Sequence, residues 1–551
     1  MKIVKLLVLV MFLTAGARLF QIQVVKAGSF RRGKLWNMWK VPVPAKRGTI
    51  YDRNGRVLAT DVEAYTIYVD RRMIKNPHAV ARRFEERGIV SSSVFLKRLE
   101  ETRSRIVTIA RNVDRERFRA VASIKGVFGI RGWGRFYPLS SIGATIIGRL
   151  NVERKGIAGI EASMDGVLKG KDGTTTIILN LRNKEYRYIK YPSGSNREPV
   201  NGKDVKLTLD IDLLNILDRV GRKTLEKTKA DRVLCVVVDG LTGEILGMSD
   251  IPELGETDGW VPNDLVQTEF EPGSIFKLIT GAAYIESRKP LDIVFADENE
   301  ELRFGKKVIK DERKHPPYDF RKSLAHSSNV GFAKMGLSLG ATRIYKTALR
   351  FGLFTGTGIL LPGEKVGTSM KTRYRYDFDL ALASFGQGFR VTPIQMLYAY
   401  GAVGNNGKLM KPLIVKEIIE DGKTIRRARA RTIRQVLDIN VNEKLVSYLR
   451  DVLQYGTGKL ARVKGLDIIG KTGTGQQSTK VGYKSDEYVS SFIGVVGPGK
   501  APIVVGVFVF KPKGYHKASY VACPAFKEIV KRMINLPQYR IRFLKEVALG
   551  G

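Results

Sequence analysis

A serine, a lysine and a helix start stand together in Glu271-Pro272-Gly273-Ser274-Ile275-Phe276-Lys277-Leu278-Ile279-Thr280. Pro272 and Gly273 break whatever precedes them, and an apolar run from Ile275 to Ile285 follows, interrupted by Lys277. The run predicts a buried helix with Ser274 in its first turn. Lys277, three residues on, falls on the same face, with Cβ atoms about 5–6 Å apart. A serine so placed beside a half-buried lysine is set up as an activated nucleophile. The lysine, once neutral, takes the hydroxyl proton, and the helix N-terminus favours the negative charge that develops. Alone, Ser-x-x-Lys equally describes a capping serine and a solvated lysine.

Two later stretches change that balance: Ser327-Ser328-Asn329 and Lys471-Thr472-Gly473-Thr474. Three such motifs in this order form the active-site signature shared by penicillin-binding proteins and class A β-lactamases. Asn329, two residues beyond Ser327 in an extended loop, faces the same way as it. Its plainer reading is a turn residue capping the next helix. Lys-Thr-Gly-Thr by itself reads as a strand ending in a turn.

At 551 residues the chain is long enough for two or three domains. Its hydrophobic share of 43% suffices for real cores. The net charge of +40 points to nucleic acid, an anionic membrane surface or an anionic polymer. The basic residues are scattered, however. Their densest cluster, Arg426 to Arg434, follows Asp421-Gly422 and reads as a solvated loop or hairpin. No nucleic-acid-binding motif accompanies it, so no nucleic-acid partner is expected. The four histidines lie far apart, which argues against a zinc enzyme, and no cofactor or metal is implied. Cys235 and Cys523 sit in apolar contexts as small buried hydrophobes and leave the redox compartment open.

Residues 3–25 form an apolar segment broken only by Lys5, Thr14, Arg18, Gln21 and Gln23. Ala15-Gly16-Ala17 has the small-x-small form of a cleavage site. The apolar character that continues through Leu19, Phe20, Ile22, Val24 and Val25 favours an uncleaved anchor, with Lys5 and Arg18 reaching the interfaces. Basic residues flank both ends, so charge does not orient the segment. Next, Pro44 to Ala59 predicts a strand, an Asn54-Gly55 turn and a return strand, and Tyr65 to Val69 continues that sheet. Residues 78–125 predict helices. Polar residues 181–204 mark the end of a domain. From Val205 the pattern reads as a mixed α/β domain with a largely antiparallel sheet. Leu207 to Asp210 leads into an amphipathic helix. Val233 to Val238 and Glu244 to Met248 predict a hairpin. Leu466 to Thr474, Tyr488 to Val496 and Ile503 to Phe510 predict three strands, and Pro524 to Ile534 a closing helix.

With these residues in view, the chain resembles the class B penicillin-binding proteins, membrane-anchored monofunctional D,D-transpeptidases of bacterial wall synthesis. The resemblance runs over nearly the whole chain. It rests on Arg18-Leu19-Phe20, Arg47 to Gly55, Gly156 to Glu161, Leu361 to Glu364, Thr392 to Gln395 and the three motifs. It implies an anchor over 1–25 and a non-catalytic α+β pedestal over 26–204. A serine β-lactamase-like transpeptidase domain over 205–537 and a tail over 538–551 follow. Ser-Ser-Asn, with asparagine third, looks more like the division-associated members than the elongation members. Gly475, where many relatives have alanine, and Leu213-Leu214-Asn215, which lacks a glutamine often found there, depart from the pattern without touching the chemistry.

The resemblance further implies a substrate, the peptidoglycan stem peptide ending in D-Ala-D-Ala, and β-lactams as its inhibitory mimics. Ser274 would be the nucleophile and Lys277 its base, kept neutral by burial and by nearby Lys471. Ser327 would relay a proton to the leaving D-Ala, and Asn329 would bond the peptide backbone. Lys471 to Thr474 would form an edge strand along which substrate adds. Thr472 and Thr474 would bind its carboxylate, Lys471 would supply positive potential, and Gly473 would clear the approach. The N–H groups of Ser274 and Thr474 would form the oxyanion hole. No glutamate motif for deacylation lies between the second and third motifs, and Glu364 reads as structural. A D,D-carboxypeptidase, a slow β-lactamase and a β-lactam sensor or scaffold remain rival readings of the same site. Partners implied are the membrane, division-complex proteins and a membrane-embedded glycan polymerase of the SEDS family at the pedestal. The site would face the outside of the inner membrane.

Overall fold

The computed structural model describes residues 2–25, 38–182, 185–191, 196–253, 263–298, 301–479 and 482–548. Readings that rest on 26–37, or on the gaps within 181–204, lie outside the described residues. The apolar N-terminal segment is one helix, Lys2–Phe20, continued by a wider turn over Gln21–Val25. Val4–Val25 is long and apolar enough to cross a membrane, and its side chains are exposed.

The remainder forms two compact units. In the smaller, Asp61 to Asp70 pairs antiparallel with Ile106–Val113, and Val127–Phe136 pairs with the same strand. The helices Pro77–Glu86, Ser92–Glu101 and Arg115–Ala122 surround this sheet. Their apolar faces close a separate core around Ile67, Phe84, Phe95, Ile109 and Val121. Helices alone were expected over 78–125. The strand was missed because Ile106-Val107-Thr108-Ile109 is only briefly β-rich before Arg111. A three-stranded antiparallel sheet of Met38–Val43, Gly173–Arg182 and Glu185–Tyr191 completes this unit.

The larger unit takes Thr49–Thr60, Tyr137–Leu168 and everything from Asp204. The units part at 203/204, while 49–60 and 137–168, which lie within the expected pedestal stretch 26–204, group with the larger unit. The Asn54-Gly55 hairpin, assigned above to the pedestal, belongs with the larger unit, because its strand Ile50–Tyr51 pairs in parallel with Val205–Lys206. Charge fastens it there. Arg56 donates to Asp52 at 2.8 Å, to Asp212 at 2.8 Å and to Asp210 at 3.1 Å.

The central sheet of this unit is antiparallel throughout. Its order is Ile245–Pro252, Arg232–Asp239, Ile503–Phe510, Gly482–Val496 and Ile468–Thr479. Its inner strands are apolar at nearly every position because both faces are covered. Helices Ile211–Thr228 and Ala518–Met533 pack together and against the sheet, and Pro393–Gly404 also lies on its strands. The helix Lys277–Glu286 is buried from Lys277 through Ile285. Cys235 and Cys523 are free and buried, as expected of small hydrophobes. The basic run separates into Lys423–Arg427 and Thr432–Gln435, which pair with different strands.

The stretch 538–551 was expected to be a tail. Instead Pro537–Ala548 is a helix. Tyr539 and Phe543 are buried in the main core, and Arg542 pairs with both oxygens of Asp239. Ending the chain at Leu536 removes two buried rings, each contributing about 1.5–3 kcal/mol. A thermal melt of that shortened protein should show unfolding lower by about 5 °C or more.

Candidate active site

Ser274 does sit at a helix start, but in a tighter form than expected. Gly273–Phe276 is a 3-10 turn, and the α-helix proper opens at Lys277. In 3-10 geometry residues three apart eclipse, which stacks Ser274 and Lys277 on one face. The backbone enters this turn through Gly273 at φ +53°. Its N–H donates to the Gly386 carbonyl at 2.9 Å. Gly386 is itself left-handed, at φ +92°, and a Cβ there would lie 2.2 Å from the Gly273 oxygen. Two glycines are thus needed for one close crossing. Next to it the Glu271 carboxylate accepts the Gly388 N–H at 3.1 Å. Tyr400 donates to the Ile275 carbonyl at 2.8 Å from the buried helix below.

Lys277 is fully buried. Its amine donates to the Ser327 carbonyl at 2.6 Å, to Asn329 Oδ1 at 2.8 Å and to Ser327 Oγ at 3.2 Å. Every one of these acceptors is neutral, and the Phe332 and Phe385 rings stand 5.4 and 5.7 Å away. Burial pushes the Lys277 amine down to about 7, although Asp311 and Glu312 pull against it. Ser274 is half-buried, and among the described residues its hydroxyl makes no hydrogen bond, to Lys277 or to any other group.

The second motif is not the extended loop that was expected. Ser327 ends the Phe320–His326 helix in the left-handed region, at φ 65° and ψ 38°. Ser328 then caps the next helix, Asn329–Leu339, accepting from the Gly331 N–H at 2.9 Å. The capping role considered for Asn329 belongs to Ser328. A non-glycine residue in the left-handed region costs about 1–3 kcal/mol and persists only where its surroundings impose it. Here that conformation turns both the carbonyl and the hydroxyl of Ser327 onto Lys277.

The third motif lies on the edge strand of the central sheet, as expected. Lys471 is fully buried, and its amine reaches the Thr472 carbonyl at 3.2 Å. Burial first, and the charge of Lys277 second, push Lys471 well below the ordinary lysine range. Burial thus works against the positive potential expected from Lys471: two buried amines without carboxylate partners among the described residues do not both keep a proton easily. Thr472 shares a hydrogen bond with Thr457 at 2.7 Å, and Thr474 Oγ1 accepts from the Ala518 N–H at 3.2 Å. Gly473 is needed, but for another reason than a cleared approach. A Cβ there would meet Ser491 Oγ at 2.6 Å and Ile275 Cγ2 at 2.9 Å. Its bare face lets the strand close on the 3-10 turn that carries Ser274.

Motif spacing did not reveal Asp311, Gly386, Gly388, Thr457 or Gln477. Glycine-rich Phe385-Gly386-Gln387-Gly388 and Gly456-Thr457-Gly458 were the available signals. Glu364 is structural, as expected: it accepts from the N–H and hydroxyl of Thr357 at 2.7 and 2.5 Å.

The comparisons agree with this geometry. A family model described as the penicillin-binding protein transpeptidase domain matches residues 233–531, more than half of the chain. The chain belongs to the penicillin-binding proteins. A second model, the penicillin-binding protein dimerisation domain, matches residues 42–207. Among named relatives, the probable peptidoglycan D,D-transpeptidase PenA of Neisseria meningitidis is 30% identical over 516 residues, covering 90% of this chain and 85% of that one. Stage V sporulation protein D of Bacillus subtilis is 29% identical, covering 97% and 84%. Among solved structures, penicillin-binding protein 3 of Mycobacterium tuberculosis, complexed with aztreonam, aligns with a TM-score of 0.68 at 26% identity, covering 90% of this chain and 97% of that chain. Penicillin-binding protein 2X of Streptococcus thermophilus shares the fold, with a TM-score of 0.72 at 24% identity, covering 92% and 82%.

In this penicillin-binding protein, Gly473→Ala forces the edge strand off the Ser274 turn. Labelling by a fluorescent β-lactam should slow about a hundredfold, as expected of a roughly 1 Å misplacement. The melting transition should fall with it, by about 1–3 kcal/mol. A stopped-time labelling series beside a thermal melt checks both.

Proposed function

We propose that this protein is a serine D,D-transpeptidase that cross-links peptidoglycan stem peptides, working at the division septum. The observation that carries the reading is the convergence on Lys277. Its buried amine is down near neutrality, rests against Ser327 and Asn329, and lies one 3-10 turn from half-buried Ser274. Such an amine can take a proton from a serine at neutral pH, which an exposed lysine cannot.

Substrate adds along Lys471 to Thr474, with its terminal carboxylate on Thr472 and Thr474. That carboxylate brings the negative charge that Lys471 lacks, so ligand binding draws a proton onto Lys471. Lys277 accepts the Ser274 proton as Oγ attacks the penultimate D-Ala carbonyl. The N–H groups of Ser274 and Thr474 hold the oxyanion, each donor lowering the barrier by about 3–4 kcal/mol. Ser327 passes a proton to the D-Ala nitrogen as the peptide C–N bond breaks, and Asn329 holds the peptide backbone. The ester then passes to an amine of a second stem peptide. β-Lactams enter the same path as mimics of D-Ala-D-Ala and remain on Ser274. The relatives' printed names and the aztreonam complex support this reading.

Val4–Val25 is read as the anchor in the cytoplasmic membrane, with the catalytic unit outside. The asparagine of Ser-Ser-Asn supports the septal assignment. The smaller unit is read as the docking region for a SEDS-family polymerase and division proteins.

The test of the chemistry is incubation with a donor stem peptide, with and without an acceptor amine, followed by mass spectrometry. The expected products are the cross-linked dimer and free D-Ala, both lost in Ser274→Ala together with β-lactam labelling. Hydrolysed donor alone would make the protein a carboxypeptidase instead. For the docking reading, residues 62–135 are replaced by a glycine-serine linker, which spares the hairpin belonging to the larger unit. β-Lactam labelling should persist while co-purification with the polymerase and growth rescue are lost.

A further inference from the structure

The hairpin Glu301–Phe304 with Lys307–Lys310 has no part in the chemistry above, yet it delivers a carboxylate against the second motif. Asp311 follows its last strand and is only 11% exposed. Its Oδ2 accepts from Ser328 Oγ at 2.6 Å and contacts His315 Nε2 at 2.9 Å. Its Oδ1 accepts from the N–H groups of Asn329 and, at 3.2 Å, of Val330. Apart from the His315 contact, these bonds fall on Ser328, Asn329 and Val330, beside or on the residues whose oxygens hold Lys277, namely the Ser327 carbonyl and Asn329 Oδ1.

A plain helix cap would explain one such bond. It does not explain the arrangement, because Ser328 already caps this helix. The carboxylate is a further layer, and it brings charge. Asp311 and Glu312 are the anionic groups that act on Lys277 against its burial. Glu312 is 64% exposed and paired with Lys517 at 2.8 Å, so solvent screens it. Asp311 is the buried one. The other titratable groups in this neighbourhood are Lys471 on the edge strand, His315, Tyr318, whose ring stacks on His315 at 3.8 Å, and His326, which precedes Ser327 and stacks on Tyr318 at 5.0 Å.

We propose that Asp311 is a positioning residue of acylation: its carboxylate locks the Ser327-Ser328-Asn329 turn around the Lys277 amine and holds a negative charge against that amine. This rests on the reading of Ser274 as nucleophile and Lys277 as its base. Two effects follow, and they separate by substitution. Asp311→Asn keeps the shape and removes the charge. Asp311→Glu keeps the charge and displaces the oxygens.

The sign follows from which form of Lys277 works. Acylation needs the neutral amine, so its rate falls on the acid side of the Lys277 titration, near pH 7. Removing a neighbouring anion disfavours the protonated amine, so the titration moves to lower pH. The experiment is the second-order rate of Ser274 acylation by a fluorescent penicillin from pH 5 to 9. It uses the full-length protein in detergent, with the adduct mapped by mass spectrometry and folding checked by thermal melt. Asp311→Asn should move the acid limb down by about half a pH unit or more. Asp311→Glu should leave the limb in place and lower the plateau about threefold or more.

An acid limb that stays in place in Asp311→Asn overturns the proposal, whatever the plateau does. A limb that disappears in His315→Gln or in His326→Gln also overturns it, because the titration then belongs to that histidine. If the asparagine protein does not fold, Asp311→Glu decides: a reduced plateau with an unmoved limb supports the proposal, and an unchanged plateau sinks it. A wild-type adduct mapping away from Ser274 would fail the underlying reading instead, and is distinguishable from all of these.

Discussion

Two amines are held out of water with no carboxylate bonded to either. Lys277 and Lys471 are fully buried, and among the described residues neither forms an ion pair. Moving an ammonium into such a place costs several kcal/mol, and a protein ordinarily avoids that cost by pairing the charge or losing the proton. This fold holds the amines between a buried helix, a left-handed turn and an edge strand, where losing a proton is the available response. The neighbouring glycines serve that enclosure. Gly473, Gly273 and Gly386 let three backbone segments approach more closely than side chains would allow. The chemistry proposed at Ser274 rests on that enclosure.

The first and third motifs carry local signals, a helix start and a strand, whereas the second was read as an extended loop and is a turn between helices. The central strands were legible through apolar runs bounded by glycine and proline. The closing helix was read from Pro524, but it opens at Ala518 and holds Pro524 inside it. Long-range arrangements were harder to read. Ser327 adopts αL because Lys277 and the flanking helices surround it, and no propensity encodes that. The bare face of Gly473 was read as clearance for a ligand, when it is clearance for Ile275 and Ser491. The positive potential of Lys471 was implied by the resemblance, and the burial that works against it depends on strands far away in sequence. Asp311 was invisible because aspartate after a hairpin is the commonest kind of loop residue.

The grouping of the chain into compact units depends on distant contacts in the same way. Linear order placed the Asn54-Gly55 hairpin with the segment around it. Yet its strand pairs with residues about 150 positions later, and Arg56 gathers Asp52, Asp210 and Asp212. The helix from Pro537 likewise reads as a charged tail until Tyr539 and Phe543 are seen in the core. In both cases a few buried contacts outweigh many exposed polar residues.

The far end of the third motif is also a clamp. The Gln477 side-chain amide accepts from the Glu271 N–H at 2.8 Å and donates to the Glu271 carbonyl at 3.2 Å and the Gly475 carbonyl at 3.0 Å. One side chain thus ties the strand just past Thr474 to the residue that leads into Pro272-Gly273-Ser274. A displacement of the edge strand is therefore passed to the Ser274 turn through a single amide.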